Sequence, residues 1–338
     1  MRPEILVTGG AGFIGSHTVV ALFEAGFSPI IIDNFSNTPA EMIDGIAAII
    51  GCAPPTYQID CCNADAVNEV FEKHQIKGVI HFAAFKSVAE SVAEPEKYKY
   101  NNLQSLNTIL QMMQKHDVRE LVFSSSATVY GQPDMNPVDE TTPWKEAASP
   151  YGWTKQQGEI IIQEFKNKNP LFKAALLRYF NPIGAHPTGH IGEYPIGIPN
   201  NLIPLVNQAA MGLRTLKIFG SDYNTPDGTC VRDYIHVVDL ANAHVKSLLW
   251  LAKAESTIEV FNLGQGKGDS VKEIIDMYQK ANEIEIPFEW ATRRVGDVES
   301  IWANVQKAND ILDWQTQYST FEALVHAYQF AKRSNTSF

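Results

Sequence analysis

The segment TGGAGFIGSHT at Thr8–Thr18 sets the architecture that the rest of the chain is expected to follow. It comes after a short apolar run at Glu4–Thr8, which is typical of a strand, and leads into a segment of helical period from Phe13 to Glu24. Its glycines fit the spacing G-x-G-x-x-G between Gly10 and Gly15. Such a turn lets the backbone approach a pyrophosphate while the helix N-terminus offers free N–H groups. The segment therefore predicts a dinucleotide-binding strand, turn and helix.

An acidic residue after the next predicted strand, Pro29–Asp33, favours one dinucleotide over another. Asp33 stands 18 residues after Gly15, where a carboxylate can accept hydrogen bonds from both hydroxyls of an adenosine ribose. A 2′-phosphate would meet a like charge there, and no arginine follows in residues 34–37. We therefore predict NAD as the cofactor. The alternative is a tight turn whose glycines are steric only, which the register of strand, turn, helix and acid disfavours.

The remainder of the first half repeats the alternation of apolar runs and helical segments. Runs such as Ile30–Ile32 and Leu121–Phe123 show no polar alternation, which is typical of parallel strands buried on both faces of a sheet. We predict an α/β fold with a doubly wound parallel sheet over residues 1–180. The further strands are expected at Thr56–Ile59, Gly78–Phe82, Glu120–Ser124 and Lys173–Tyr179, and the helices at Ala64–Lys73, Tyr98–Lys115 and Tyr151–Asn167.

The second half has a different character. Between Asn181 and Asn200 the chain is rich in Pro, Gly and His and loses its periodicity, which indicates a loop between domains or over a site. A smaller mixed α/β domain is predicted for residues 181–338, with segments near 234–263 packing back on the first domain. Its helices are expected near Leu202–Met211, Asp239–Leu251, Val271–Asn282 and Val305–Asp313, and after a capping box at Ser319–Glu322.

Composition excludes several classes of protein. The 338 residues include 27 basic and 38 acidic side chains, giving a net charge of −11 and a pI near 5.3. Nucleic-acid and anionic-membrane partners are therefore not expected, because their phosphates attract a basic surface. No run approaches about 18 apolar residues, and the N-terminus has no signal-peptide pattern. Four cysteines without C-x-x-C spacing fit a reducing compartment, so a cytoplasmic location is expected and the cysteines are interpreted as packing residues.

A tyrosine and a lysine four residues apart form the candidate catalytic pair. Serines 124–126 close a predicted strand, and Ser149-Pro150 opens the helix that carries Tyr151 and Lys155. An unperturbed tyrosine with a pKa of about 10 is only ~0.1% ionised at pH 7, and the ammonium of Lys155 and a bound nicotinamide cation would together favour the phenolate. Tyr151 is therefore the predicted general base. The equally spaced pair Tyr328 and Lys332 has no serine-rich strand end before it and is interpreted as surface.

Two histidines four residues apart, His186 and His190, raise the question of a metal. Pro187 and Gly189 between them make a helical zinc face unfavourable, and no cysteine or carboxylate completes a ligand set. No metal is predicted.

At these motifs the chain resembles the extended short-chain dehydrogenase/reductase family and, within it, the UDP-glucose (UDP-galactose) 4-epimerases. The similarity covers nearly the whole length and implies a Rossmann domain followed by a UDP-sugar domain. Besides Thr8–Thr18, it rests on FSSSATVYG at Phe123–Gly131, SPYGWTK at Ser149–Lys155, LRYFNPIGAHPTG at Leu177–Gly189, IPNNL at Ile198–Leu202 and DGTCVRDYIHVVDLA at Asp227–Ala241.

The resemblance implies a role for each matching residue. Tyr151 would be the base, Lys155 would bind the nicotinamide ribose and tune the base, and Ser126 would hydrogen-bond the 4-hydroxyl of the sugar. The implied NAD-binding residues are Gly9, Gly12, Phe13, Ile14, Gly15, Asp33, Asn34, Asp60, Lys86, Asn101, Ser124, Tyr151, Lys155, Tyr179 and Phe180. The implied UDP-sugar residues are Ser126, Tyr151, Asn181, Asn200, Asn201, Leu202, Phe219, Arg232, Tyr234, Arg294, Asp297 and Ile301, with the two arginines on the diphosphate.

The implied reaction is interconversion of UDP-glucose and UDP-galactose. The sugar is oxidised at C4, the ketone turns over while its nucleotide tail holds it, and the hydride returns to the opposite face. A homodimer through the helices at Tyr98–Lys115 and Tyr151–Asn167 is also implied.

The sequence leaves other sugar substrates open and disfavours two other functions. Many bacterial relatives have a tyrosine at the position of Ile301, and those that accept N-acetylated sugars tend to have a small residue, so main activity on UDP-N-acetylhexosamines is one alternative. Main activity on UDP-glucuronate is another, because it would use the same machinery with an added cation facing C6. Sugar-nucleotide dehydration is disfavoured because Ala127 and Thr128 replace the acid pair of the dehydratases. A binding module without catalysis is disfavoured because Ser126, Tyr151 and Lys155 are all present.

Overall fold

The computed structural model describes residues 2–197, 199–294 and 296–334, and its largest feature is a seven-stranded sheet. All pairings in this sheet are parallel. From one edge to the other its strands are β11 (Ile258–Leu263), β6 (Lys173–Tyr179), β5 (Glu120–Ser124), β4 (Ile76–His81), β1 (Glu4–Thr8), β2 (Ser28–Asp33) and β3 (Thr56–Gln58).

Helices cover both faces of the sheet, which explains the uninterrupted apolar runs. Leu6 of β1 belongs to one hydrophobic cluster and the adjacent Val7 to the other, because successive side chains of a strand point to opposite faces. The predicted doubly wound α/β fold is therefore confirmed. The helices are α1 (Phe13–Glu24), α2 (Met42–Ile50), α3 (Ala64–Lys73), α4 (Val88–Ala93), α5 (Pro95–Lys115), α6 (Pro150–Lys168) and α8 (Val237–Lys253).

The second half is built from small sheets and a separate helical core. The sheets pair β7 (Asn181–Ile183) with β10 (Tyr234–His236), β8 (Leu216–Phe219) with β13 (Phe288–Ala291), and β9 (Val231–Arg232) with both β12 (Asp269–Ser270) and β14 (Ser300–Ile301). The remaining helices are α7 (Leu202–Ala210), α9 (Val271–Asn282), α10 (Gln306–Leu312) and α11 (Thr320–Ser334). A third cluster, which includes Val206, Ile274 and Leu324, joins α7, α9 and α11.

Several predicted elements need correction. The helices α2 and α4 and the short strands were not predicted from the sequence, and the interval predicted to be aperiodic begins with β7. Of the segments near 234–263, β11 pairs with β6 and α8 packs on α1. Ile198 and Val295, which fall within two of the predicted binding segments, and residues 335–338 of the predicted second domain lie outside the described residues.

Candidate active site

A cleft of about 970 Å³ opens at the carboxyl ends of the parallel strands, between the large sheet and the second half of the chain. Ligands of doubly wound folds bind at this edge of the sheet. Every predicted catalytic, cofactor-binding and substrate-binding residue lines the cleft, from Gly9 at the end of β1 to Ile301 in β14. Residues spread over most of the chain are thus brought to one place.

The glycine turn after β1 has the backbone geometry that a dinucleotide requires. Gly9 has φ +69°, and a Cβ added there would lie 2.9 Å from the backbone nitrogen of Ala83. A Cβ at Gly15 would collide with the carbonyl oxygen of Gly9. The turn therefore brings its backbone closer to the neighbouring loop and to the start of α1 than any side chain permits. That close approach is the cradle into which a pyrophosphate fits.

Asp33 is fixed beside this turn. Its carboxylate accepts hydrogen bonds from the backbone N–H groups of Ala11 at 3.1 Å and Phe35 at 2.9 Å. Burial raises the pKa of this carboxyl above its usual range, and the backbone hydrogen bonds oppose that shift. A carboxylate has about four acceptor sites, so capacity for ribose hydroxyls remains. The residues present therefore fit NAD.

The loop after β4 forms the third side of the cofactor groove, and of its residues only Lys86 was predicted from the sequence. Ala83, Ala84 and Phe85 line the groove beside the predicted Lys86. Asn102 of α5 holds the loop, because its side chain accepts from the N–H of Phe85 at 2.8 Å and donates to its carbonyl at 3.1 Å. The available signal was topological: β4 lies next to β1, so its carboxyl end had to reach the same edge.

The candidate catalytic residues meet where β5 ends and α6 begins. Ser149 caps α6 by accepting a hydrogen bond from the N–H of Gly152 at 3.1 Å. The Lys155 ammonium donates to the carbonyl of Ser124 at 2.6 Å and lies 5.7 Å from the centre of the Tyr151 ring. The side chain of Ser126 lies close enough to the Tyr151 hydroxyl to lower its pKa. The strand end therefore connects the serine, the tyrosine and the lysine.

Burial dominates the electrostatics of this group in the chain alone. Burial raises the pKa of Tyr151 to about 12, and the hydrogen bond from Ser126 opposes the rise only in part. Burial also lowers the pKa of Lys155 to about 8, and Glu159 opposes that change. In the chain by itself, Lys155 therefore does not lower the pKa of Tyr151, and its joint action with a nicotinamide cation stays a prediction. Burial is the largest cause of both shifts, so the phenolate of Tyr151 is not favoured in the chain without a cofactor.

A buried ion pair supports the catalytic strand end from behind. Arg178 of β6 binds Glu159 of α6 through two nitrogens, at 2.6 and 2.9 Å, and both side chains are about 95% buried. The hydroxyl of Ser125 donates to the same carboxylate. The middle serine of Ser124–Ser126 is thus tied to α6, which fixes the two serines on either side of it.

The opposite wall of the cleft carries the residues predicted to bind the nucleotide. Arg294 donates to Asp297 at 2.9 and 3.2 Å, and its guanidinium lies 5.4 Å from the centre of the Phe219 ring. Arg232 donates to the carbonyl of Val231 at 2.9 Å. Arg294 and Asp297, both predicted to bind the UDP-sugar, are therefore paired with each other in the chain alone.

Two cysteines also line the cleft, a position that their interpretation as packing residues did not include. Cys61 lies on the cofactor side and Cys230 beside Arg232. Burial raises the pKa of both thiols, so they are not activated nucleophiles. Within the ranges that the structure describes, no three His, Cys, Asp or Glu side chains converge as they would around a metal ion.

The fold and this cleft define a class: a doubly wound, dinucleotide-dependent enzyme with a tyrosine and lysine pair on one helix. Residues 5–264 match the model of the NAD dependent epimerase/dehydratase family. The chain belongs to this family, which confirms NAD as the cofactor.

Curated relatives and solved structures agree with this assignment. The chain is 48% identical to the UDP-glucose 4-epimerase of Dictyostelium discoideum, covering 94% of this chain and 92% of that protein. It is 45% identical to the UDP-glucose 4-epimerase of Bacillus subtilis, covering 96% of each. The crystal structure of the Bifidobacterium longum UDP-glucose 4-epimerase, in complex with NAD⁺ and UDP, matches with a TM-score of 0.96 at 40% identity, covering 99% of this chain and 100% of that one. The resemblance inferred from the motifs is thereby confirmed.

Proposed function

We propose that the protein is an NAD-dependent epimerase that interconverts UDP-glucose and UDP-galactose at C4 of the sugar. The observation that carries the proposal is the convergence of Ser126, Tyr151 and Lys155 in one cleft with the glycine turn on one side and with Arg232 and Arg294 on the other. A redox-neutral reaction at one carbon needs these three parts within reach of one substrate.

The cofactor is held by the residues that line the sheet edge. The glycine turn and α1 accept the pyrophosphate, Asp33 and Asn34 the adenosine ribose, and Lys155 the nicotinamide ribose. The other proposed contacts are Asp60, Lys86, Asn101, Ser124, Tyr179 and Phe180. When bound, oxidised NAD accepts hydride from the sugar and returns it, and its positive nicotinamide ring adds the charge that Tyr151 lacks in the chain alone.

Side chains of the protein transfer the proton of the sugar 4-hydroxyl. Ser126 and Tyr151 hydrogen-bond the 4-hydroxyl, and Tyr151 removes its proton as the C4–H bond breaks. The ammonium of Lys155, held by the carbonyl of Ser124, favours the phenolate through its charge. Tyr151 then gives the proton back to the oxygen when the C4–H bond forms on the other face. One residue thus serves as base and as acid.

The nucleotide tail keeps the intermediate in the cleft. Arg232 and Arg294 present cationic side chains to the diphosphate, and guanidinium groups suit phosphate oxygens because they can donate two parallel hydrogen bonds. Tight binding of the tail with weaker contacts to the sugar lets the ring rotate without escape. The other proposed contacts are Asn181, Asn200, Asn201, Leu202, Phe219, Tyr234, Asp297 and Ile301.

The choice of sugar depends on Ile301. This side chain is 6% exposed and packs in one cluster with Ala127 and Phe180, next to the catalytic residues. Because isoleucine is smaller than tyrosine but branched, we propose glucose and galactose as the main pair, with slower turnover of UDP-N-acetylhexosamines. Equal rates on UDP-galactose and UDP-N-acetylgalactosamine would contradict this preference.

The test of the proposal is an assay of purified protein with UDP-galactose and no added reductant. We expect UDP-glucose to accumulate until the two sugars reach equilibrium, as followed by chromatography or NMR. Bound NAD is measured separately by its release from denatured protein. Protein that contains NAD but converts neither sugar would contradict the proposed reaction.

The oligomeric state, the location and the division into domains are also proposals. We propose a homodimer through α5 and α6. The exposed side chains of Tyr100 and Trp153 on these packed helices support it, and light scattering would measure the mass of the dimer.

Among the described residues, no helix combines the length and apolarity needed to cross a bilayer. The free cysteines support a reducing, cytoplasmic location. The division into domains 1–180 and 181–338 also stays a proposal.

A further inference from the structure

Glu193 lies in the loop between β7 and α7, and nothing in the sequence motifs assigns it a role. Its carboxylate oxygen Oε1 accepts a hydrogen bond from the Lys86 ammonium at 3.0 Å and another from the side-chain nitrogen of Asn201 at 2.6 Å. Lys86 belongs to the proposed cofactor side of the cleft and Asn201 to the proposed nucleotide-sugar side. One oxygen atom therefore joins the two sides.

The backbone that carries Glu193 is held in place. Gly192 forms an antiparallel bridge with Ala185, and the N–H of His186 donates to the carbonyl of Ile191 at 3.0 Å. A Cβ at Gly192 would collide with the ring of Phe330 in α11, so the chain lies as close to that helix as glycine permits. The Glu193 side chain is 12% exposed. Its carboxylate therefore extends into the cleft from a fixed point.

The two contacts differ in what they can contribute. The Lys86 side chain is 54% exposed, and ion pairs that face solvent contribute little. The hydrogen bond from Asn201 to the same oxygen is shorter, at 2.6 Å, and is charge-assisted by the carboxylate. A carboxylate only accepts, so the amide of Asn201 must turn its nitrogen toward Glu193 and its oxygen away. Asn201 precedes α7, and among the described residues its side chain does not cap that helix.

We infer that Glu193 is a positioning residue for substrate binding: it fixes the orientation of Asn201, through which it acts on the nucleotide end of a UDP-sugar. The inference rests on the proposed function, because it takes Asn201 to contact that ligand. Glu193 therefore contributes to the affinity for the nucleotide and leaves the chemical step to other residues.

The test compares Glu193→Ala and Glu193→Gln in the NAD-containing protein. Titration calorimetry gives the Kd of UDP, and initial rates with UDP-galactose give KM and kcat. We expect Glu193→Ala to raise both Kd and KM about 10-fold with kcat changed less than about 3-fold, as for loss of a hydrogen bond to a charged group. Glu193→Gln should stay within about 3-fold of wild type, because its amide oxygen still accepts from Asn201.

A matched control removes a glutamate from an ion pair elsewhere. Glu259 contacts Lys307 at 2.7 Å and is 34% exposed, and neither residue lines the cleft. Glu259→Ala should leave the Kd of UDP unchanged. A loss in Glu193→Ala no larger than in this control would overturn the inference. Equal losses in Glu193→Ala and Glu193→Gln would overturn it too, since the glutamine retains the acceptor.

A double-mutant cycle tests the link to Asn201 directly. If Glu193 acts through that residue, Asn201→Ala and the double variant should have the same Kd for UDP, because two residues that act together are not additive. Fully additive effects would overturn the inference. Wild-type protein that converts neither UDP-sugar contradicts the proposed function, whereas the UDP affinities still support or overturn the role of Glu193.

Discussion

The two walls of the cleft differ in how their polar groups are satisfied in the chain alone. On the sheet side, Lys155 is bound to the carbonyl of Ser124, and Glu159 is bound to Arg178 in the interior. On the opposite side, Arg294 is bound to Asp297 with its side chain 48% exposed. The first arrangement is buried and is completed by the fold, whereas the second pairs two groups that a nucleotide would need.

This difference separates two kinds of energetic contribution. Groups that the fold already orients can stabilise a transition state without reorganisation when the reaction occurs. Groups that are paired with each other must exchange partners when the ligand binds, so their net contribution is to affinity. Substitutions on the sheet side are therefore expected to lower kcat, and substitutions on the opposite side to raise KM.

The largest effect is expected from Tyr151→Phe. Removing the hydroxyl removes the proposed acid and base, so kcat should fall at least about 100-fold in both sugar directions. Initial rates with saturating UDP-glucose and UDP-galactose measure it. Tyr328→Phe is the matched control, because Tyr328 has Lys332 four residues later but lies outside the cleft. Near-normal activity of Tyr151→Phe would show that the base is a different residue.

The next effect tests the opposite wall with two adjacent arginines. Arg294 lines the cleft, whereas Arg293 binds Asp222 at 2.7 Å and lies over the ring of Tyr223, outside it. We expect Arg294→Met to raise KM about 30-fold with kcat within about 3-fold, since charge-assisted hydrogen bonds to phosphate are lost. Arg293→Met should change KM less than about 3-fold. Equal effects of the two substitutions would remove the distinction between the walls.

A pH profile tests the sheet side without changing a residue. Burial lowers the pKa of Lys155 to about 8, so its ammonium is present below pH 8 and is lost as the pH rises above it. Because the neutral amine no longer favours the phenolate of Tyr151, kcat/KM should fall about 10-fold between pH 8 and 9.5. In Lys155→Arg the guanidinium stays charged. The same alkaline fall in that variant would assign it to another group.

The sequence predicts the elements of the large sheet better than those of the second half of the chain. The bounds of β1, α1, β5 and β6 agree with the prediction, because strong apolar runs and a helical period mark them. The strands β9, β12 and β14 have two residues each, too few for any period, and exist only through their pairing. The second half therefore depends on tertiary contacts that local patterns do not record.

The site shows the same limit. Residues that motifs carry, such as Tyr151 and Arg232, are found by their immediate neighbours in the sequence, and the structure brings them into one cleft. Glu193 was missed because no motif joins it to its two partners, Asn201 in the same loop region and Lys86, which lies 107 residues earlier. The raised pKa of Tyr151 in the chain alone is a related case, because spacing gives the distance to Lys155 but not the extent of burial.

The smallest effect concerns the sugar, where the two walls meet. Ile301 pairs across the β9–β14 ladder with Arg232 and packs with Phe180, so it stands between the nucleotide site and the catalytic site. Ile301→Tyr adds bulk at this junction. We expect turnover of UDP-N-acetylgalactosamine to fall about 5-fold relative to UDP-galactose, because an overpacked pocket excludes the larger 2-acetamido group first.

The measurement is the ratio of kcat/KM for the two sugars, since a ratio cancels any loss of stability common to both. Ile301→Val is the control, because it keeps the branched Cβ and removes one methyl group, and it should leave the ratio within about 2-fold. An unchanged ratio in Ile301→Tyr would mean that position 301 does not face the C2 substituent. The selectivity between the two sugars would then depend on side chains of the sheet side rather than on the junction of the two walls.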